Sequence, residues 1–338
     1  DQSNNMGKSF NAELIIQKDK LLQLVSEVCE NGDNLSSCIT TLGSESISIA
    51  THMYYHDNTL ENGAEDNSYR YAGPSDKVNN FVCFGSNTAT CPTDNLYRII
   101  GVIDGKVKLI KYDYATSILL GTGGDYAGSG TPESTYKGSL TSINKYYWNY
   151  KNNTKINNGF GSNTWSTSLL NKTNLNSNFL NNIGSTWAGK IATTTWKAGG
   201  GTLANIRDSV PSIAYKYEVG SNASSTTYNA KIGLMYISDY YYAASPSAWT
   251  LYGYNSNSTK DYRAATSNNW MYMGEDFDWI FSRSSDNAAF VMFVTNDGNI
   301  NATLANASGS VRPVFNLEST VTFAGGSGTQ SDPIRITV

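Results

Sequence analysis

The chain has 338 residues, 15% charged and 39% apolar, with a formal net charge of -4. That length fits one large domain with an appendage or two small domains, and the apolar share suffices for a core although charge falls well below the ~25% of an average globular chain. There is no basic field for nucleic acid or an anionic membrane, no run near the ~18 apolar residues of a membrane span, and only two histidines, His52 and His56, for acid–base work.

Asn, Ser, Thr, Gly and 23 Tyr take the place of charge, a mixture expected of an exported surface protein rather than a cytosolic enzyme. The polar start at Asp1, without Met, reads as a processed or trimmed product in which no signal peptide remains. Residues 1–10 are a polar tail. From Lys8 to Glu30, Phe10, Leu14, Ile15, Leu21, Leu22, Val25 and Val28 recur at helical spacing, with Asn31-Gly32 as the stop. This amphipathic helix is expected to pack on its own domain or against a second copy.

The four cysteines permit three connectivities, and the local spacings favour Cys29 with Cys38 and Cys83 with Cys91, because short loops close at little entropic cost. Four buried thiols remain the alternative, while a zinc site lacks the CxxC spacing. Disulfides require an oxidising compartment, so an extracellular, cell-surface location is expected. Residues 42–80 show no sustained period and read as irregular structure.

Tyr97–Ile103 and Lys106–Tyr112 are strand runs joined by Asp104-Gly105, a strong hairpin signal. A Gly/Ser loop over 121–142 precedes the aromatic cluster Tyr146-Tyr147-Trp148. Over 165–192 the spacing is helical, but Asn, Ser and Thr favour caps and turns, so two or three short helices are predicted, ending at Gly199-Gly200-Gly201. Strands follow at Tyr228–Ile237, Trp279–Arg283, Ala288–Thr295, Asn299–Leu304, Val311–Leu317 and Pro333–Ile336, with a polar loop over 255–268 and a second hairpin turn at Asn296-Asp297-Gly298. Pro313 has no N–H to give, so its strand is an edge or starts late.

This order of hairpin, short helices, loop-rich stretch, second hairpin and Val-Arg-Pro strand resembles the C-type-lectin-like fold in the variant shared with sulfatase-modifying-factor and retroelement-diversified proteins. Tyr97–Val102, Lys108–Lys111, Trp270–Gly274, Trp279 with Arg283, and Val311–Phe315 look like landmarks of a large family of exported proteins from gut Firmicutes. The resemblance runs from about Tyr54 to Ile336 and implies an α+β, C-type-lectin-like fold of β-hairpins, short helices and long loops, plus an N-terminal helical extension. The domain reading is a tail and helix over 1–50 and the lectin-like domain over 51–338, with its core from about 95. The sequence departs from calcium-binding members: Trp148-Asn149-Tyr150 is followed by Lys151, and only Glu275, Asp276 and Asp278 cluster as carboxylates. Every Cys precedes residue 92, whereas the formylglycine-generating enzymes use cysteines of the C-terminal half.

No nucleophile elbow, P-loop or dinucleotide fingerprint is present, and Gly121-Thr122-Gly123-Gly124 lacks a phosphate-binding Lys. His52 and His56 read as polar surface groups, and Glu275, Asp276 and Asp278 as a solvated loop rather than a hydrolytic pair. Trp279, Arg283 and Arg312 read as structural, with Trp165 and Trp187 in the core and each guanidinium paired. Tyr240, Tyr241, Tyr242, Trp249, Tyr252 and Tyr254 crowd a Ser/Asn/Gly-rich stretch of the kind that binding loops favour, although strand alternation would bury about half. Asn299 and Asn301 fall where diversified members of the superfold carry variable residues. The expected function is non-enzymatic recognition or adhesion toward a host or neighbouring-cell glycan or protein, with no cofactor, metal, nucleic acid or membrane span. The alternatives are a subunit of an extracellular filament, self-associating through the N-terminal helix, and, third, a carbohydrate-active enzyme.

Overall fold

The computed structural model describes residues 23–45, 48–129, 143–150 and 161–338. Most of the helix expected over Lys8–Glu30, the tail before it and the larger part of the Gly/Ser loop lie outside those residues. In chain order the fold begins with α1 (Leu35–Glu45), α2 (Ser48–Thr51) and the strands β1 (Met53–Tyr55), β2 (Tyr69–Tyr71), β3 (Phe81–Cys83), β4 (Leu96–Ile103) and β5 (Lys106–Lys111). Then come α3 (Ser117–Leu120), β6 (Tyr126–Ser129), β7 (Asn144–Tyr147) and a wide-turned helical segment, Leu170–Phe179, continued by α4 (Leu180–Asn182) and α5 (Ser185–Ala188). Strand β8 (Thr194–Lys197) leads to α6 (Leu203–Ile206), α7 (Pro211–Glu218), β9 (Thr227–Ala230), β10 (Ile232–Gly233) and α8 (Ile237–Tyr242). The C-terminal part holds β11 (Asp278–Arg283), β12 (Phe290–Val294), β13 (Ile300–Leu304), β14 (Ser308–Gly309), β15 (Val314–Asn316), β16 (Phe323–Gly325) and β17 (Arg335–Ile336). The class is α+β, as expected, with 26% helix, 27% strand and several antiparallel sheets.

The largest sheet has seven strands in the order β1-β2-β4-β5-β15-β10, with β3 also on β4. Its centre is the predicted hairpin. Asp104 (φ 50°) and Gly105 (φ 72°) both take the left-handed conformation that a two-residue I′ turn demands. β4 is buried along nearly all its length, so its sequence is a continuous apolar run rather than an alternation. Pro313 sits just before β15, and that strand lies inside the sheet between β5 and β10, so it starts late and is no edge. Further sheets join β11-β12-β13, β14-β7-β6, β8-β9 and β16-β17, and the Asn296–Gly298 turn links β12 to β13 as foreseen.

Several expectations are corrected. Residues 42–80 are not irregular but hold the end of α1, α2, β1 and β2. The described end of the predicted N-terminal helix, Val25–Glu27, is a single 3-10 turn, and the α-helix begins only after Asn31-Gly32. Leu35, Cys38, Ile39 and Leu42 are all buried, a spacing that makes one helical stripe, and Asn34 Oδ1 caps the start by accepting the Ser37 N–H at 3.1 Å. Val25, Cys29 and this stripe belong to the same apolar core as the large sheet, and Phe323 and Val321 bond backbone groups of Gly32, Asp33 and Leu35. The run Tyr228–Ile237 is not one strand; it breaks between β9 and β10 and turns into α8. β8, over Thr194–Lys197, was not foreseen.

Over 165–192 the short helices appear as expected. Their buried amides explain how an Asn-rich segment stays helical: Asn174 Nδ2 donates to the Leu120 carbonyl at 2.8 Å, and Asn171 Nδ2 to the Trp165 carbonyl at 3.0 Å. Both local disulfides are present, Cys29–Cys38 and Cys83–Cys91.

Candidate functional site

Sheet register sets a row of residues across four strands: Arg70 of β2 opposes Gly101 of β4, Gly101 opposes Lys108 of β5, and Lys108 opposes Asn316 of β15. Gly101 contributes no side chain to this row, and a Cβ there would meet the Tyr69 carbonyl oxygen at 2.1 Å. Above the row lies a cleft of about 380 Å³, within the usual size of small-molecule sites. Its other walls come from β8, through Thr194, Thr195, Trp196 and Lys197, and from α7 and α8, through Tyr215, Ser238 and Asp239.

Two buried cations share one carboxylate at the base. Asp239 Oδ2 accepts from Lys108 Nζ at 2.6 Å, and Oδ1 accepts from Arg70 Nη1 at 3.4 Å. Asp239 Oδ2 also accepts the Tyr236 N–H at 2.9 Å, which closes the first turn of α8. Arg70 reaches a second carboxylate, Asp66, at 2.7 Å, and the Ser68 hydroxyl at 2.8 Å. Burial would raise the Asp66 carboxyl, but the Arg70 guanidinium and the Ser68 hydroxyl outweigh it and hold Asp66 well below the carboxylate range. Burial lowers the Lys108 ammonium, against the pull of Asp239. The Lys108 ammonium also lies 4.8 Å from the Tyr236 ring centre and 5.9 Å from that of Trp196, and such ring faces attract a desolvated cation.

Asp239 is placed by its helix, and the helix by Glu218. The buried Glu218 carboxylate accepts the N–H groups of Ile237 and Ser238, both at 2.9 Å, and the hydroxyls of Ser238 and Ser282. These are the otherwise unpaired donors of a helix start. Burial pushes Glu218 up to about 7, against these donors.

The predicted site residues fall elsewhere. Tyr240, Tyr241, Tyr242 and Trp249 are not on a binding loop: each is 1% exposed or less. The physical reason is that α8 is packed on all sides and each polar tip finds a carbonyl. Tyr240 donates to Gly298, Tyr241 to Ile206, Tyr242 to Asn62, and Trp249 Nε1 to Ala244. Tyr252 and Tyr254 are exposed, and Tyr254 lies between the guanidinium groups of Arg207 (5.2 Å) and Arg263 (5.7 Å). Asn299 is buried as a turn support, its Oδ1 accepting from Thr295 Oγ1 at 3.0 Å, and Asn301 is half-buried on β13. None of the eight predicted ligand-binding residues lines the cleft.

The structural readings fare better. Trp279 is buried and donates to the Tyr146 carbonyl at 2.7 Å; Trp165 and Trp187 are buried too. Arg312 pairs with Asp278 at 2.7 Å and donates to the Met271 carbonyl at 2.9 Å. Arg283 is half-buried and bonds the Ala198 carbonyl and Asn163 Oδ1 rather than a carboxylate. Asp278 is therefore not part of a solvated loop, since Arg312 needs a buried partner. Asp276 meets Lys145 at 3.2 Å and the Ser310 hydroxyl at 2.8 Å. His56 is not a surface group either: it is fully buried, its Nδ1 accepts the Ala64 N–H at 3.1 Å, and Tyr242 and Trp249 pack on its ring. His52 is half-buried. Cys29, Asp33 and Cys38 are the only grouping of metal-ligand types among the described residues, and both sulfurs are in the disulfide.

Sequence reasoning missed the cleft, though it carried one signal. Arg70 between Tyr69 and Tyr71, and Lys108 between Val107 and Leu109, put charge inside apolar strands, which requires buried partners. Set against known proteins, the chain matches no family, no curated protein and no solved structure. Among the described residues, no helix is long and apolar enough to cross a membrane.

Proposed function

We propose that this chain is an extracellular recognition protein of C-type-lectin-like architecture, and that it binds a glycan unit in the Arg70–Lys108–Asp239 cleft. The single observation that carries the reading is the internally braced base: two buried cations and two carboxylates, held by β-sheet register and by the Glu218 cap of α8. Such fixed dipoles lower the ordering cost of binding. Hydroxyl-rich ligands need donors and acceptors beside an apolar face, and Thr193, Thr194 and Asn316 stand in the same lining as the half-buried ring of Tyr215. Every carboxylate and cation of the base is already paired, which suits holding a molecule more than proton transfer to it. Two disulfides support an oxidising, extracellular setting. The exposed Tyr252 and Tyr254 remain as a rim surface outside this cleft.

The test is a glycan array with the purified chain, wild type against Lys108→Met and Thr194→Tyr, the latter placing a ring beside Asn316 in the cleft lining. Retention of a glycan by wild type, lost in both variants that still melt cooperatively, supports the reading. Identical patterns in all three, or no retained glycan, overturn it. The filament alternative, which rests on the N-terminal tail and helix over residues 1–30, most of them outside the described residues, would show instead as concentration-dependent assembly of the chain in light scattering.

A further inference from the structure

Resting on that reading, we infer that the glycan bound in this cleft is anionic, and that Lys106, with Lys197, takes its acidic group. The base of the cleft is neutralised internally, Arg70 against Asp66 and Asp239, and Lys108 against Asp239. The mouth is not. Lys106 is two residues from Lys108 on β5, so successive alternation puts both side chains on the cleft face of the sheet. Lys106 is only half-buried, and neither it nor Lys197 makes an ion pair among the described residues. Of the cleft's carboxylates only the exposed Asp104, at the hairpin tip, is left unpaired.

The cleft thus carries Arg70, Lys106, Lys108 and Lys197 against Asp66, Asp104 and Asp239, a local positive excess on a chain of net charge -4. A half-buried ammonium that no carboxylate holds is free to form a charge-assisted hydrogen bond. A bare inorganic anion would not use the remaining lining. The hydroxyls of Thr193 and Thr194 and the ring of the half-buried Tyr215 match the hydroxyl groups and C–H faces of a sugar ring. The ligand class that satisfies both halves is a saccharide bearing a carboxylate or a sulfate.

Titration calorimetry of the whole chain separates the possibilities, with oligogalacturonate, a neutral galactan oligosaccharide and its sulfated form as probes. The inference expects an acidic probe to bind about tenfold tighter than the neutral one, the size of a charge-assisted bond. It expects the preference to vanish in Lys106→Gln/Lys197→Gln and to shrink on raising salt. The carboxylated and sulfated arms tell which acid is read. Neutral and acidic probes binding equally, or a preference intact in the double variant, would overturn the inference while leaving the cleft reading standing. No binding of any probe, with inorganic sulfate also silent, would remove both.

Discussion

Arg312 meets Asp278 and Lys108 meets Asp239 at nearly the same depth, 3% and 5% exposed for the two cations, yet the pairs are built for different ends. Arg312 is closed in by the Met271 carbonyl and the Met235 sulfur. Asp278 Oδ1 accepts no hydrogen bond among the described residues, and burial pushes this carboxyl up to about 6 against the pull of Arg312. Lys108 instead opens on a cleft, and its carboxylate is shared with Arg70 and the start of α8. In the enclosed pair the carboxylate side chain has only Arg312 to satisfy it among the described residues. An open pair with redundant partners leaves room for something else.

The largest effect expected from this contrast is on the enclosed pair. Arg312→Met strands Asp278 in the interior and should cost about 3–5 kcal/mol in urea unfolding at pH 7. A loss below ~1 kcal/mol would show that Asp278 reaches water and dissolve the contrast. The next effect is on His56, behind Arg70. Burial first, and the Arg70 charge second, lower its pKa to about 3. Because the folded pKa lies below the unfolded 6.5, the stability His56 contributes is present above that value and drains away as pH falls toward 3. Glu218 and Asp278 have raised pKa values, so their contributions run the other way, weakening as pH rises from about 4 to 7. His56→Phe should therefore keep about 2 kcal/mol more of its pH 7 stability at pH 5 than wild type does. Equal pH dependence in the two proteins would mean that His56 is solvated.

Lys108→Met comes third, at about 1–2 kcal/mol, since Arg70 still pairs with Asp239 and water reaches the carboxylate through the cleft. Were it to cost as much as Arg312→Met, the two pairs would be alike. The smallest change is Lys106→Gln, within about 0.5 kcal/mol of wild type by the same unfolding assay, as for other solvated side chains. A larger loss would give Lys106 a structural duty and weaken its assignment as a ligand contact.

What the amino-acid order reveals depends on distance along the chain. The β4–β5 hairpin is legible because Asp104-Gly105 and its flanking runs are contiguous, and so are the late start after Pro313 and the two short disulfide loops. The stripe Leu35, Cys38, Ile39, Leu42 is equally local, and Cys38 is the only member of it that carries a signal of its own, through its spacing from Cys29. Tyr240, Tyr241 and Tyr242 misled for a chemical reason. Tyrosine beside Ser and Asn is typical of a binding loop, but equally of a core where each hydroxyl finds a backbone carbonyl. Burial decides between the two, and composition carries no burial. The cleft was the least legible part, since Arg70, Gly101, Lys108 and Asn316 become neighbours only through strand register.

That register also determines when the site comes into being. Strand β15 supplies Asn316 to a sheet whose other members precede residue 112, apart from β10 at Ile232–Gly233. During synthesis the hairpin can close early, but the cleft waits until Asn316 has emerged, a long-range closure that slows folding. A shortened product ending before Val314 would lack Asn316 and the strand that joins β5 to β10, and so would form the hairpin without completing the cleft.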